Sequence, residues 1–172
     1  EGRPTVYDLV ADVGTFLSGT FKQTSERAPD RDGPTGRIKL GTESSGGFRN
    51  ITISNCVFNR SRGLALETVD GGDLEDVTVT NLTMRDVSTA PLFLRLGNRG
   101  RTPGSPPPGR MRRIVISNVV ASDIDPRYPA IIAGLAGHPV EDVDLSNIRL
   151  LYRGGGTRED ARREPPENEE AY

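Results

Sequence analysis

The chain has 172 residues and a formal net charge of −2, from 22 lysines and arginines and 24 aspartates and glutamates. That balance gives no overall field that would attract nucleic acid, and no apolar run reaches the roughly 18 residues of a membrane span. Glycine (20) and proline (13) are abundant, which argues against a helix bundle and favours short strands joined by turns, because both residues break helices. A single cysteine, Cys56, excludes an internal disulfide.

The N-terminal part alternates between apolar and polar stretches. Residues 5–21 are rich in apolar residues and predict an early turn of strand-rich structure. Residues 22–35 are polar and predict an excursion between strands. No capping element is recognisable before this region, so we expect the sequence to be a piece of a longer protein.

A recurring segment is the strongest signal in the sequence. Each copy reads apolar, two polar, apolar, any, apolar, Ser/Thr, Asn, and then further apolar residues. The four copies are 48–58, 74–84, 111–121 and 140–150, with their asparagines at Asn55, Asn81, Asn118 and Asn147, spaced by 26, 37 and 29 residues. The longest interval contains a Pro/Gly-rich insertion at residues 99–110, and without it the three intervals match. A fixed period of this size predicts a solenoid.

A second class of short apolar strand lies between the asparagine-marked segments. Its members are Ile38–Leu40, Leu64–Leu66, Leu92–Leu94 and Ala130–Ala133. Two or three short strands per 25–30 residues, with no helical stretch between them, predict one coil of a parallel β-helix. Alternation places one row of side chains in the core: Ile51, Ile53, Val77, Val79, Ile114, Ile116, Val143 and Leu145. The recurring asparagines predict an internal ladder that satisfies buried turn groups.

The coils are predicted to continue to Tyr152, so that residues 1–152 form one all-β unit. Residues 153–172 are highly charged and poor in apolar residues, and they predict a loop or a tail that buries nothing. No closing coil is evident after Tyr152, so the β-helix is predicted to be incomplete.

Several segments resemble the polygalacturonase-like family 28 glycoside hydrolases. Gly36–Gly47, followed by Phe48–Cys56, is similar to the family's Gly-Ser-Glu strand, its Gly pair and the Ile-Thr strand after it; Gly63–Gly72, Ala90–Arg99 and Gly137–Val143 continue the likeness. The resemblance covers roughly residues 5–155. It implies a right-handed single-stranded parallel β-helix of the pectin-lyase-like kind and inverting hydrolysis of α-glycosidic bonds in pectic polysaccharide. It also implies a secreted or periplasmic monomer that uses no cofactor.

The resemblance has three departures. The family's Gly-His-Gly would fall just before Arg37, where this chain has Thr35-Gly36 and no histidine. The family's acid and base carboxylates lie in Asn-Thr-Asp and Asp-Asp motifs that this sequence lacks, so we expect the catalytic residues upstream of Glu1. Inversion needs two carboxyl systems roughly 6.5–9.5 Å apart. Where the family has Arg-Ile-Lys, this chain has Ala65-Leu66-Glu67, which leaves open a pectic or neutral glycoside other than polygalacturonate.

The candidate substrate-binding residues are Arg37, Lys39, Glu43, Glu67 and Arg95. Arg37 and Lys39 alternate with apolar residues and should face outward, where they could hold a uronate carboxylate. Lys39, Glu67 and Arg95 are spaced by 28 residues, close to the coil period, which predicts an outward stripe along a bound sugar chain. Cross-strand ion pairing alone would also explain this stripe.

Acidic residues cluster around Gly71–Gly72, namely Asp70, Asp73, Glu75 and Asp76. Their spacing is looser than that of a calcium loop, so we predict charges that flank a turn and no metal site. His138 lies in a Gly-His-Pro turn and has no obvious catalytic partner. Two other functions remain open beside the hydrolase, namely a non-catalytic carbohydrate-binding or adhesion β-helix and a pectate lyase-like enzyme, which would require calcium and an arginine base.

Overall fold

The computed structural model describes residues 10–12, 36–41, 44–101, 103–104 and 106–162. These residues form one eight-stranded sheet and contain no α-helix; in particular, no described helix is long and apolar enough to cross a membrane. The strands are β1 (Val10–Asp12), β2 (Gly36–Leu40), β3 (Phe48–Thr68), β4 (Leu74–Val87), β5 (Leu92–Leu96), β6 (Met111–Ile124), β7 (Ile131–Ala133) and β8 (Val140–Tyr152), and a 3-10 turn follows at Asp160–Arg162.

Every strand pair in the sheet is parallel and joins equivalent positions of successive repeats. Phe48 is in register with Leu74, Leu74 with Met111, and Met111 with Val140. The short apolar strands form a second branch, in which β2 pairs with the end of β3, that part of β3 with β5, and β5 with β7. We call each level of this stack a rung. The repeat that was predicted from the asparagine spacing is therefore confirmed as the repeat of strand pairing, and the parallel all-β architecture is compatible with a β-helix.

The long strands bend at residues with positive φ, which recur every five positions. On β4 these are Asp76 (φ 60°), Asn81 (φ 55°) and Asp86 (φ 55°). Asn and Asp tolerate this left-handed conformation because their short polar side chains bond locally. Each bend takes an extra residue, so the inward positions on β4 follow steps of three and two instead of strict alternation. The equivalent bends on the other long strands are Asn50, Asn55, Arg60, Arg113, Asn118, Asp123, Asp142 and Asn147.

The core consists of apolar rows that run across the rungs. One row contains Ile53, Val79 and Ile116, which are at most 3% exposed, and a parallel row contains Ile51, Val77 and Ile114. The predicted inward face is thus confirmed for these six residues. Val143 is only half-buried and Leu145 is 42% exposed, because β8 is the last strand of its branch and no described strand lies on its other side.

The asparagines form a ladder, but it lies outside the core. Asn81 Nδ2 donates to Asn55 Oδ1 at 3.0 Å, Asn118 Nδ2 to Asn81 Oδ1 at 3.2 Å, and Asn147 Nδ2 to Asn118 Oδ1 at 2.7 Å. All four side chains are exposed, and all four residues occupy positive-φ bends. The prediction of an internal ladder was therefore wrong: a bend turns the side chain outward, where the amides bond to one another along the stack. We call this set the asparagine column.

Two of the segments predicted as loops are described in part, and their described residues contain no strand. The described part of residues 99–110 contains no strand, and its end packs against the β3–β4 turn, since a Cβ on Gly109 would come within 1.9 Å of Gly72 O. His138 lies in a tight turn closed by two backbone hydrogen bonds with Leu135. Residues 153–162 are exposed and contain no strand. The predictions for residues 5–9, 13–35 and 163–172 lie outside the described residues.

Candidate functional site

Four of the five candidate residues come together on the outer side of β2, β3 and β5. Arg37 and Lys39 lie on β2, Glu67 on β3 and Arg95 on β5. We call these four residues the charged cluster. Lys39 Nζ lies 3.1 Å from Glu67 Oε2, and Arg37 Nη2 lies 3.8 Å from Glu67 Oε1. Glu43, the fifth candidate, lies outside the described residues.

The predicted stripe is only partly in register. Glu67 pairs with Arg95 as expected from their 28-residue spacing. Lys39, however, pairs with Ala65, because the register between β2 and β3 has an offset of 26 residues at this point. Its ammonium reaches Glu67 diagonally along the long side chain. Lys39 therefore joins the stripe through an ion pair and not by direct stacking.

Burial corrects a second expectation. Glu67 is 0% and Arg95 1% exposed, so neither stands on an open face as the alternation pattern predicted. The side chains of Arg37 and Lys39 keep 14% and 22% of their surface exposed. Burial lowers the pKa of the Lys39 ammonium; the Glu67 carboxylate raises that pKa but does not fully offset burial, and the positive charges of Arg37 and Arg62 add to the lowering.

The backbone approaches the cluster closely at Gly41. A Cβ at this position would lie 2.8 Å from Glu67 O and 2.9 Å from Glu67 Cβ, and Gly41 has a φ of +96°. Only glycine fits both constraints without strain. The end of β2 can therefore lie directly against Glu67.

A buried polar network that the sequence did not reveal adjoins this end of the rungs. Ser44 Oγ accepts hydrogen bonds from Val69 N (2.8 Å) and Asp70 N (3.1 Å), and Ser44 N donates to Asp70 Oδ2. Arg99 Nε donates to Asp70 Oδ1 at 3.0 Å, and both side chains are only 3% exposed. Asp70 and Arg99 are 29 residues apart, which is one repeat of the stack. This spacing is the feature of the sequence from which their pairing could have been predicted.

The remaining acidic residues near Gly71–Gly72 pair with arginines. Glu75 lies within 2.8 Å of both Arg49 and Arg112 and 2.6 Å from Arg113. Asp73 pairs with Arg49 and Arg110, and Asp76 with Arg113. Hydrogen bonds from these arginines lower the pKa of Asp76 and, against the opposing effect of burial, that of Glu75. These acidic residues thus lie in ion pairs with arginines beside the turn. Among the described residues, no group of three or more His, Cys, Asp or Glu could hold a metal ion.

A separate open groove lies at the third set of bends. Its volume is about 550 Å³, and it is lined by Asn59, Arg60, Arg85, Asp86, Asp123 and Arg153. Its ion pairs are long and exposed: Arg85 Nε lies 3.3 Å from Asp123 Oδ2, and Arg153 Nη1 lies 3.5 Å from Asp86 Oδ1. Exposed pairs of this kind contribute little to stability.

Comparisons with known proteins identify no relative. No protein-family model matches the chain, and neither a curated protein nor a solved structure is similar enough to count as a match. Two partly exposed cations beside a buried carboxylate can hold an anionic group or hydroxyl groups, and both are features of acidic sugars.

Proposed function

We propose that the chain is the substrate-contacting part of a pectin-acting glycoside hydrolase of the family 28 kind, built as a right-handed parallel β-helix. The acid and base carboxylates for inverting hydrolysis would come from residues outside this sequence. The protein would act outside the cytoplasm, in the periplasm or as a secreted monomer, and without a cofactor.

The observation that carries the proposal is the convergence of the charged cluster. Three successive levels of the second branch supply the cluster, but only Arg37 and Lys39 on β2 keep exposed surface, so a ligand would meet these two side chains. Strand spacing of about 4.8 Å matches the length scale of a sugar unit. An extended acidic oligosaccharide is therefore a suitable ligand.

The cluster residues would have different roles. Arg37 and Lys39 are partly exposed and would contact the carboxylate of the sugar. Glu67 is buried and within ion-pair distance of both, so it would act as a positioning residue. Ala65, at the position where the resemblance expects arginine, lies in register with Lys39. Lys39 thus supplies a positive charge one rung earlier than the family pattern does.

The test is binding of oligogalacturonate to the full chain, measured by calorimetry. Lys39→Gln should weaken binding about tenfold, because one charge-assisted hydrogen bond is worth roughly 1.5–3 kcal/mol. Arg149→Gln, which removes an exposed arginine on β8, is the matched control and should bind normally.

Binding should also depend on pH. The pKa of Lys39 is lowered, so its ammonium loses its proton at a lower pH than that of an ordinary lysine. Affinity measured by the same calorimetry should therefore fall as the pH rises toward 10.

Equal losses in both variants, or no binding of any acidic or neutral pectic oligosaccharide, would contradict the proposal. Turnover by the chain itself would contradict the location of the catalytic carboxylates. The two rival functions have their own signatures. An unsaturated product that disappears with a chelator identifies a lyase, and binding without turnover by the full-length protein identifies a carbohydrate-binding β-helix.

A further inference from the structure

The strand β8 continues the apolar row, the charge alternation and the asparagine column of the stack, and no described strand lies against its outer edge. Leu145 is 42% exposed, whereas its neighbours in the same row, Ile116 and Val79, are fully buried. An edge strand with exposed apolar residues and free backbone groups is a template for strand addition. The charges and amides of β8 specify which strand would fit.

Charge alternates along one column of the stack. Arg49 is in register with Glu75, Glu75 with Arg112, and Arg112 with Glu141. The order from rung to rung is therefore basic, acidic, basic, acidic. Opposite charges on directly neighbouring strands stabilise the pair, and like charges destabilise it.

The next position repeats the alternation of charge on β4, β6 and β8, whereas β3 has the uncharged Asn50 there. β6 carries Arg113 between Asp76 of β4 and Asp142 of β8, all at equivalent bends. Arg113 Nε lies 2.6 Å from Asp76 Oδ1. β6 thus presents two arginines to an acidic pair on β4, and β8 offers an equivalent acidic pair, Glu141–Asp142, at the free edge.

The asparagine column has a direction. In each step the later asparagine donates through Nδ2 to Oδ1 of the earlier one. Asn147 is the last described donor of the column, and an amide placed opposite it could donate to its Oδ1 in the same way.

We propose that the outer edge of β8, against which no described strand lies, binds a parallel strand of this same repeat, with basic residues opposite Glu141–Asp142 and an asparagine opposite Asn147. The occupant is a polypeptide segment of that pattern and not a second β8. A two-fold dimer would pair β8 with itself in antiparallel direction, and aligning Asn147 with its copy would place Leu145 opposite Arg149. This inference is independent of the proposed sugar site.

The test uses the full chain and two 14-residue peptides. One has the sequence of residues 111–124, which carries Arg112 and Arg113, and the other that of residues 74–87, which carries Glu75 and Asp76. Both peptides have matching apolar rows and an asparagine at the position that would face Asn147. The residues that would face Glu141–Asp142 are basic in the first peptide and acidic in the second. The basic peptide should bind roughly tenfold more tightly in low salt, and the preference should shrink in high salt.

Register is tested by a disulfide. The peptide of residues 111–124 is made with cysteine in place of Val120, and the chain carries Arg149→Cys. The two cysteines should form a disulfide if the peptide binds β8 in the register that β6 already has with β8, where Val120 lies opposite Arg149. Leu145→Lys should abolish peptide binding, whereas Val57→Lys, at an outward position that is 58% exposed, should not. Equal binding of the two peptides, absence of binding, or self-association that Leu145→Lys abolishes would each overturn the proposal.

Discussion

At the scale of single residues, Asp125 shows how local bonding sets both conformation and charge. Its Oδ1 accepts a hydrogen bond from Arg127 N at 3.0 Å, and its Oδ2 accepts one from the Arg127 guanidinium at 2.6 Å. The guanidinium also lies over the Tyr128 ring, 5.4 Å from its centroid. The hydrogen bonds from Arg127 lower the pKa of Asp125 to about 2. These bonds fix the turn that leads from β6 toward β7.

Replacing this carboxylate should have an effect that depends on pH. Asp125→Asn should lower the free energy of unfolding by about 1 kcal/mol at pH 7. The ionised carboxylate stabilises the fold because its pKa is lower in the folded chain than the usual value of about 3.9. That contribution is complete above roughly pH 4 and is lost as the pH falls toward 2.

Urea titrations of the parent chain and Asp125→Asn at several pH values measure this difference in stability. Asp123→Asn removes an exposed carboxylate on the same segment and should change stability by less than about 0.5 kcal/mol. A deficit in Asp125→Asn that persists undiminished at pH 2 would contradict the assigned role.

The sequence predicted which charged residues meet, but not how deeply they are buried. Arg37, Lys39, Glu67 and Arg95 could be grouped because strand alternation and the coil period both appear in the sequence. The burial of Glu67 and Arg95 depends on what packs over the outer face, which neither pattern reports. The Ser44–Asp70–Arg99 network was missed because its members follow strand ends, where turn geometry decides the contacts.

At the scale of the strands, the bends explain why a two-residue alternation describes the repeat incompletely. Each positive-φ residue adds one position between inward side chains, so apolar residues recur in steps of three and two. The recurrence of asparagine gave the correct register from rung to rung. It could not show on which side of the sheet the asparagines lie, because that depends on backbone conformation.

Substitutions at one bend separate backbone strain from the loss of side-chain bonds. Asn118 has a φ of 53° and takes part in two steps of the asparagine column. Asn118→Ala should cost about 1–2 kcal/mol, because alanine is strained in this conformation and both bonds are lost. Asn118→Gly loses the same bonds but relaxes the backbone, and should cost about 0.5–1 kcal/mol less.

Labelling of Cys56 provides the readout for these variants. Cys56 is buried, and burial raises the pKa of its thiol to about 11, so at neutral pH an alkylating reagent should reach it only after unfolding. Labelling across a urea series therefore reports the fraction unfolded. A glycine variant no more stable than the alanine variant would show that φ at this bend is not the limiting factor.

At the scale of the whole molecule, the order and spacing of the rungs were predictable from the sequence. The exposure of the apolar residues on β8 was not. Repeats of similar pattern stack because each rung buries its apolar row against the next. The insertion at residues 99–110 was recognisable from its prolines, and the structure places it between two rungs without disturbing their register. The exposure of Leu145 depends on what covers β8, and the repeat pattern does not contain that information.

The central claim is that successive repeats lie in parallel register, one directly on the next. Val57, Thr83 and Val120 are exposed and occupy one column, with neighbouring strands about 4.8 Å apart. In a chain carrying Cys56→Ala, the pair Val57→Cys and Thr83→Cys should form a disulfide under mild oxidation, because Cα atoms less than about 7 Å apart can be bridged. Val57→Cys with Val120→Cys, two rungs apart, should not. Efficient cross-linking of the second pair, or failure of the first, would contradict the stacked arrangement on which the charged cluster depends.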